Sequence, residues 1–390
     1  MKKNREWLND IRPWSMVLVL QIPSLRAIFK YSPYPVVSAI LMILVSYLFY
    51  LLLFQSSSVR KAACEQLSSY TVTFILVIIF IMINFFVYPY ADALKYSGHG
   101  STADDALIEP AQALLSGENL YDAQLPDKVP ISPGPGWILM NIIFTGTGLY
   151  FLMTPFYVGL SAIVFMTAGG EKAGSNLVLL CLCSALIFWE LMVTGHDVVA
   201  IGCMSVTLLV LVERFSQKRE GSKTILLFIG FALVLGALAT SRILFIILPP
   251  LFGIILWKRD RALGISLALG SLFTALLLHA VFYVRSEFYQ PLHLFDRAES
   301  NMGLVLIILG AITSAIVVIA AIIKVKNNLD SWLLWFSLLI ATPLIFISLG
   351  ELRNVGYDFA RWEGANYIMP AAPSVLFSLF INYSQDNGKP

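Results

Sequence analysis

Asp104 and Asp105 are the residues of this 390-residue chain best suited to chemistry. They stand side by side in a polar, acidic stretch, Asp92 to Gly136, set among apolar runs. Carboxylates can do acid–base work, and adjacent carboxylates near a helix start are also stabilised by the helix dipole. With Glu109 the pair can also hold a divalent cation, although no dedicated metal-ligand pattern is present and no cofactor is required by the sequence. Asp105 and Glu109 are four residues apart and share a face if the helix through them is continuous. Ser101 or Thr102 is placed to cap that helix, Pro110 to break it or open a fresh turn, and Gly117 to close it. Tyr121 follows, and then Pro130-Ile-Ser-Pro-Gly-Pro-Gly-Trp137. That passage predicts a stiff, non-helical return with Trp137 at the membrane interface.

Other candidates are scattered along the chain. Arg242 interrupts an apolar run, where an ionisable side chain is costly, and its fork suits a phosphate. His196 and Asp197 share a short turn and can bind a hydroxyl or shuttle a proton; equally, Asp197 can cap the next helix. Glu190 lies about two turns earlier, at membrane or interfacial depth. Arg353, Arg361 and Glu363 sit in a later loop. The four cysteines have no metal-site spacing and read as packing residues.

The elements that must position these residues are membrane spans. Hydrophobic residues make up 58% of the chain and charged residues 13%, about half the charge of a soluble domain. The net charge of +2 offers no basic face for nucleic acid. Apolar runs near 37–55, 69–90, 148–167, 177–193, 197–212, 224–240, 243–257, 262–284, 302–323, 331–349 and 366–382 predict an all-α polytopic membrane protein of about 11–12 transmembrane helices. Residues 1–36 read as an interfacial amphipathic arm, and 37–390 as one transmembrane domain with an extracytoplasmic loop over 91–136. A cytoplasmic C-terminus puts twelve Lys/Arg in the inner loops and seven in the longer outer ones. Eleven spans then leave the basic N-terminal segment, with six Lys/Arg, on the wrong side.

The run Asp104-Asp105-Ala-Leu-Ile-Glu-Pro-Ala-Gln-Ala-Leu-Leu-Ser-Gly-Glu-Asn-Leu-Tyr121, with its Pro/Gly return, resembles the first extracytoplasmic loop of the GT-C glycosyltransferases. The likeness is to their polyprenol-phosphate-mannose-dependent branch and covers about 35 residues; elsewhere only the layout of spans is similar. Ala106, Leu107 and Ile108 stand where that family often has an aromatic pair, and the return reads Ser-Pro-Gly-Pro rather than Tyr-Pro-Pro. The resemblance implies a multi-pass enzyme of the cell membrane. It would move a mannose-like sugar from a polyprenyl-phosphate donor to a lipid or glycan acceptor on the extracytoplasmic face. Asp104 or Asp105 would be the base, with Glu109, Tyr121, His196, Asp197, Arg242, Arg353, Arg361 and Glu363 around the substrates. Two other classes compete. A secondary transporter or lipid flippase would place ionisable residues within spans. A non-catalytic assembly subunit would leave Asp104, Arg242 and Arg361 in no common pocket.

Overall fold

The computed structural model describes residues 11–97, 101–122, 125, 130–168, 170–217, 221–286, 289–290 and 293–383. Among them every regular element is helical. In chain order these are α1 (Ile11–Met16), α2 (Ile22–Tyr31), α3 (Pro35–Gln55), α4 (Ser57–Leu67), α5 (Tyr70–Ala93), α6 (Asp105–Leu115), α7 (Pro135–Gly146), α8 (Met153–Thr167), α9 (Lys172–Cys183), α10 (Leu186–Val193), α11 (Val198–Gln217), α12 (Gly221–Ala239), α13 (Leu248–Leu256), α14 (Arg261–Arg285), α15 (His293–Lys324), α16 (Leu329–Asn354) and α17 (Ala372–Phe380). Among the described residues seven helices are long and apolar enough to cross a membrane, and α9 with α10 forms an eighth run broken by a 79° bend. The expected 11–12 spans are not reached, because the runs near 224–240, 243–257 and 366–382 form shorter helices. The chain is therefore an integral, multi-pass, all-α membrane protein.

Exposure explains the composition. On α3, Ile40, Leu41, Leu44, Leu48 and Leu52 face outward; on α15, Leu304, Val305, Ile312, Ile316 and Ile319 do. Such surface is far beyond the few hundred Å² of apolar patch a soluble monomer carries, and it needs lipid. By contrast α11 is the buried centre, with Val199, Ile201, Val206 and Leu209 out of contact with any solvent.

The segment expected as an interfacial arm is instead helical from Ile11 and packed into the bundle. A wider π turn at Val17–Gln21 joins α1 to α2, and Met16, Val17 and Leu20 belong to the common core. Gln21, fully buried, donates to the Tyr50 hydroxyl (2.6 Å), which in turn meets Ser184 Oγ (2.7 Å) at the α9–α10 break. Ser24 Oγ accepts from the Ile187 amide at 3.2 Å, so this helix supplies partners to backbone groups that the break frees. Residues 11–31 span about 31 Å, a bilayer's hydrocarbon thickness.

The helices run between two chemically different ends. At one, Arg12 lies over Phe54, Arg60 over Tyr383, Lys172 over Tyr70 and Arg261 over Trp257. Arg259 pairs with Glu213 (3.2 Å), and Lys258 reaches the Ile323 carbonyl (3.1 Å). Ile11 and Tyr383, the first and last described residues, both belong to this basic end. The other end carries α6, α7 and the acidic residues.

Candidate functional site

The site is built where the end of α5, the start of α6 and the α10–α11 turn meet. Tyr88 and Asp92, one helical turn apart on α5, face the start of α6. The Tyr88 hydroxyl donates to Asp104 Oδ2 at 2.5 Å. Lys95, just past the α5 terminus, bridges Asp92 Oδ1 (2.7 Å) and Asp105 Oδ1 (2.8 Å). Asp104 is 1% exposed; its Oδ1 and Asp105 Oδ2 are buried with no hydrogen-bond partner.

These contacts set the proton affinity of Asp104. Burial penalises its charge most, and the carboxylates of Asp105 and Asp92 add to that. The Tyr88 hydrogen bond and the Lys95 ammonium work the other way. The balance pushes Asp104 up to about 7, the range in which a general base works best. Lys95 is held firmly charged: burial disfavours its ammonium, but hydrogen bonds from it to Asp105 and Asp92 outweigh that.

Opposite Asp104 lies Gly195, at φ +75°. Its backbone touches the acid so closely that a Cβ there would lie 2.6 Å from Asp104 Cβ and 3.2 Å from the Tyr150 ring. Tyr150 stacks near Tyr88 (centroids 5.8 Å) and donates to the Gly195 carbonyl (2.7 Å), which locks the turn. Gly195→Ala is expected to lower the melting temperature measurably. The left-handed backbone alone costs roughly 1–2 kcal/mol, and the clash displaces Asp104 as well. A thermal melt in detergent checks this.

The next two residues face different partners. His196 Nε2 meets Ser101 Oγ at 3.0 Å. Burial, and then the charges of Arg26, Arg242 and Lys30 around it, lower His196 to about 3, so its imidazole is neutral at physiological pH. Asp197 is fully buried and accepts from Trp137 Nε1 (2.8 Å) on one oxygen and Arg242 (2.9 Å) on the other. Its carboxylate thus joins α7 and the end of α12 to the site. Glu190, one turn before Thr194, is buried and paired with Arg26 (2.8 Å), with Lys30 at 3.6 Å.

Of the residues singled out from sequence, Asp104, Asp105, His196, Asp197 and Arg242 come together. Others do not. Glu109 is only half-buried and stands outside the acidic group. Tyr121 is engaged within the protein itself: its hydroxyl donates to the Pro133 carbonyl (3.0 Å) and its ring stacks on Tyr289. Arg353, Arg361 and Glu363 are exposed on the 353–363 segment, with Arg353 directed to the Met302 carbonyl. His99, Asp127 and Glu287 lie outside the described residues, as do the side chains of His293, Asp296, Arg297 and Glu299.

Local expectations also met mixed outcomes. α6 continues through Pro110, which forfeits one first-turn hydrogen bond and packs its buried ring. Ser101 does not cap α6; it serves the Ala103 amide and His196 instead. Gly117, at φ +87°, closes α6 as expected: its amide bonds to Leu114 and that of Glu118 to Ala113, the paired arrangement a left-handed glycine permits. Trp137 is not interfacial, because its ring is fully buried over Asp197. The Pro/Gly return presses its backbone onto α12: the Gly134 amide bonds to the Thr240 carbonyl (2.8 Å), and a Cβ on Gly136 would meet Ala237 Cα at 2.6 Å.

A divalent ion fits this acidic group poorly. Oxygens of Asp92, Asp104 and Asp105 lie within 4.8 Å of one another, but Lys95 already bridges two of the three. Tyr88, Lys95 and Arg26 belong to this site, and the sequence did not single them out. Tyr88 read as part of an apolar span. For Arg26 the only signal was the misplaced basic N-terminal segment. No family model, no curated protein and no solved structure matches this chain.

Proposed function

We propose that this protein is a glycosyltransferase acting on the extracytoplasmic face, with a lipid-phosphate-linked sugar as donor and Asp104 as the base. One observation carries the reading: Asp104 is buried, raised to about 7, held on one oxygen by Tyr88 and left free on the other. A carboxylate so fixed can accept the proton of an acceptor hydroxyl through Oδ1 as that oxygen bonds to the anomeric carbon. The bond from that carbon to the lipid phosphate breaks, and the phosphate leaves with the electron pair. Cations nearby, Arg242 and Arg26, favour the anion that departs. Neutral His196 can both donate to and accept from a sugar hydroxyl without carrying charge into the site.

Sidedness follows from the two ends. The basic end belongs in the cytoplasm by the rule that Lys and Arg concentrate there. Arg12, at the start of the 11–31 segment, lies with that basic end over Phe54, whereas Arg26 and Lys30 lie at the other end beside Glu190. Lys95 stands in for a divalent ion, so chelator treatment is expected to leave the rate unchanged within twofold.

The test is transfer from a polyprenyl-phosphate sugar in proteoliposomes, followed against pH. The rate should fall about tenfold for each pH unit below 7, as the base becomes protonated. Tyr88→Phe removes a hydrogen bond that favours the carboxylate, so its acid limb should move to higher pH. A flat profile from pH 5 to 8 in wild type would remove Asp104 as the base. The sharp α9–α10 break beside buried Glu190 favours a second reading, a transporter of lipid-linked substrates. Movement of intact donor across the same vesicles, with no transfer, would select it.

A further inference from the structure

A cavity of about 660 Å³ lies between α2, α3, α5 and α10. Ile28, Met42, Ile83, Val87 and Trp189 make its walls apolar. Its rim residues Tyr31, Val87, Leu94 and Leu186 are exposed, so it opens toward the apolar surface of α3 and α5 that lipid must cover. Leu186 sits at the α9–α10 break and Leu94 next to Lys95, so the cavity runs from within the bundle to the level of the site.

One polar corner interrupts these walls. The Glu190 carboxylate lines the cavity, and both Arg26 and Lys30 converge on its Oε1. Two cations and the Tyr31 hydroxyl (3.5 Å) therefore converge on one carboxylate oxygen. Arg26 is 8% exposed, yet its Nε has no hydrogen-bond partner, and neither has Glu190 Oε2. An idle guanidinium donor buried beside an apolar cavity is a site for an anionic oxygen. Thr194, on the same wall, is two residues from His196, which feels the charge of Arg26 and Lys30.

We propose that this cavity seats the hydrocarbon chain of a lipid phosphate, its headgroup on Arg26 and Lys30, delivered from the bilayer between α3 and α5. The occupant is of one class: a phosphate ester carrying a long apolar chain. The chain matches the walls, the phosphate matches the corner, and Glu190 holds the two cations in place until the phosphate arrives. That the lipid is the sugar donor rests on the transferase reading; that the cavity binds a lipid phosphate does not.

The probe is a polyprenyl phosphate bearing a diazirine near its free end, added to protein in phosphatidylcholine vesicles. Photolabelling should fall on α2, α3, α5 or α10. Unlabelled polyprenyl phosphate should compete, while polyprenol and inorganic phosphate at equal concentration should not. Arg26→Gln should weaken labelling at least tenfold. Because that variant takes the closer cation from a buried carboxylate and can misfold, Glu190→Gln supplies the opposite arm: it removes the competing anion and should strengthen labelling about threefold or more. Asp104→Asn should label as wild type. Equal labelling by a photoreactive polyprenol, equal competition by inorganic phosphate, label confined to α14 and α15, or weakened labelling in a folded Glu190→Gln variant would each overturn the proposal. Labelling as expected with no sugar transfer from any donor would instead sink the transferase reading and leave the lipid-phosphate site standing.

Discussion

Asp104→Asn is expected to lower sugar transfer by about 10²–10⁴-fold and, at the same time, to make the folded protein more stable. The first effect follows from removing the base, since an amide cannot accept the hydroxyl proton. The second follows from the cause of the high proton affinity. Burial, with Asp105 and Asp92 nearby, opposes ionisation of Asp104 in the folded state. A carboxyl raised from its usual range to about 7 contributes stability that is fully present below the unfolded value, near 4. That contribution is lost as pH rises through about 7, because the unfolded chain then ionises more readily than the fold. Asparagine never ionises, so it escapes this loss; it also keeps an oxygen for the Tyr88 hydroxyl. The variant should therefore melt close to wild type at pH 4–5 and higher at pH 8, by a difference on the order of 2–4 kcal/mol. Asp105→Asn should behave differently. Its Oδ1 meets Lys95 at 2.8 Å, so neutralising it weakens an ion pair and leaves the ammonium to Asp92. Loss of transfer with a pH-dependent gain in stability in the Asp104 variant alone separates the base from its neighbour. If both variants keep full activity at normal expression, the assignment fails.

The sequence carried the long spans, because a span is a local property, but it overcounted them: eight of its eleven runs match long helices or the bent α9–α10 pair, and the other three fall on shorter helices. The apolar runs near 37–55, 69–90 and 302–323 correspond to α3, α5 and the span Met302–Lys324 within a residue or a few. The Gly117 closure was equally local: a left-handed glycine after an apolar helical run has few other uses. That residues 11–31 pack as helix into the bundle was missed for a physical reason. Pro13, Gln21, Pro23, Ser24 and Arg26 make that segment too polar to read as a span. In the fold those polar groups meet partners on α3 and α10, which no local pattern encodes. The site divides in the same way. Asp104, Asp105, His196, Asp197 and Arg242, which the fold brings together, stood out because charge is rare in this chain. Tyr88 and Trp137 were not legible as site residues, since aromatics are common at span ends and their roles depend on which carboxylate lies opposite. Tyr121 misled for the converse reason: its place in the loop suggested substrate, yet its hydroxyl ties the loop to its own return.

Arg242 poses a choice that stability alone cannot make, because a phosphate-binding arginine and a structural counter-ion both destabilise when removed. Arg242→Met leaves Asp197, fully buried, with only the Trp137 indole as partner. Stranding a buried charge costs roughly 3–5 kcal/mol, so this variant should express poorly and melt far below wild type. Adding Asp197→Asn removes the stranded charge and keeps an acceptor for Trp137 Nε1. Replacing both members of a buried pair is often close to neutral, and the double variant should regain most of the lost stability. Transfer then decides the role. One guanidinium nitrogen meets Asp197 and another the Ser241 carbonyl, yet the side chain keeps 12% of its surface open and its charge acts on His196. A purely structural partner has no need of that open edge. The refolded double variant is therefore expected to bind the lipid-phosphate donor at least tenfold more weakly, as a rise in KM, with its pH profile unmoved because Asp104 and Tyr88 are intact. Recovery of wild-type KM together with stability would make Arg242 only the counter-ion of Asp197, and leave the donor phosphate to Arg26 and Lys30 alone.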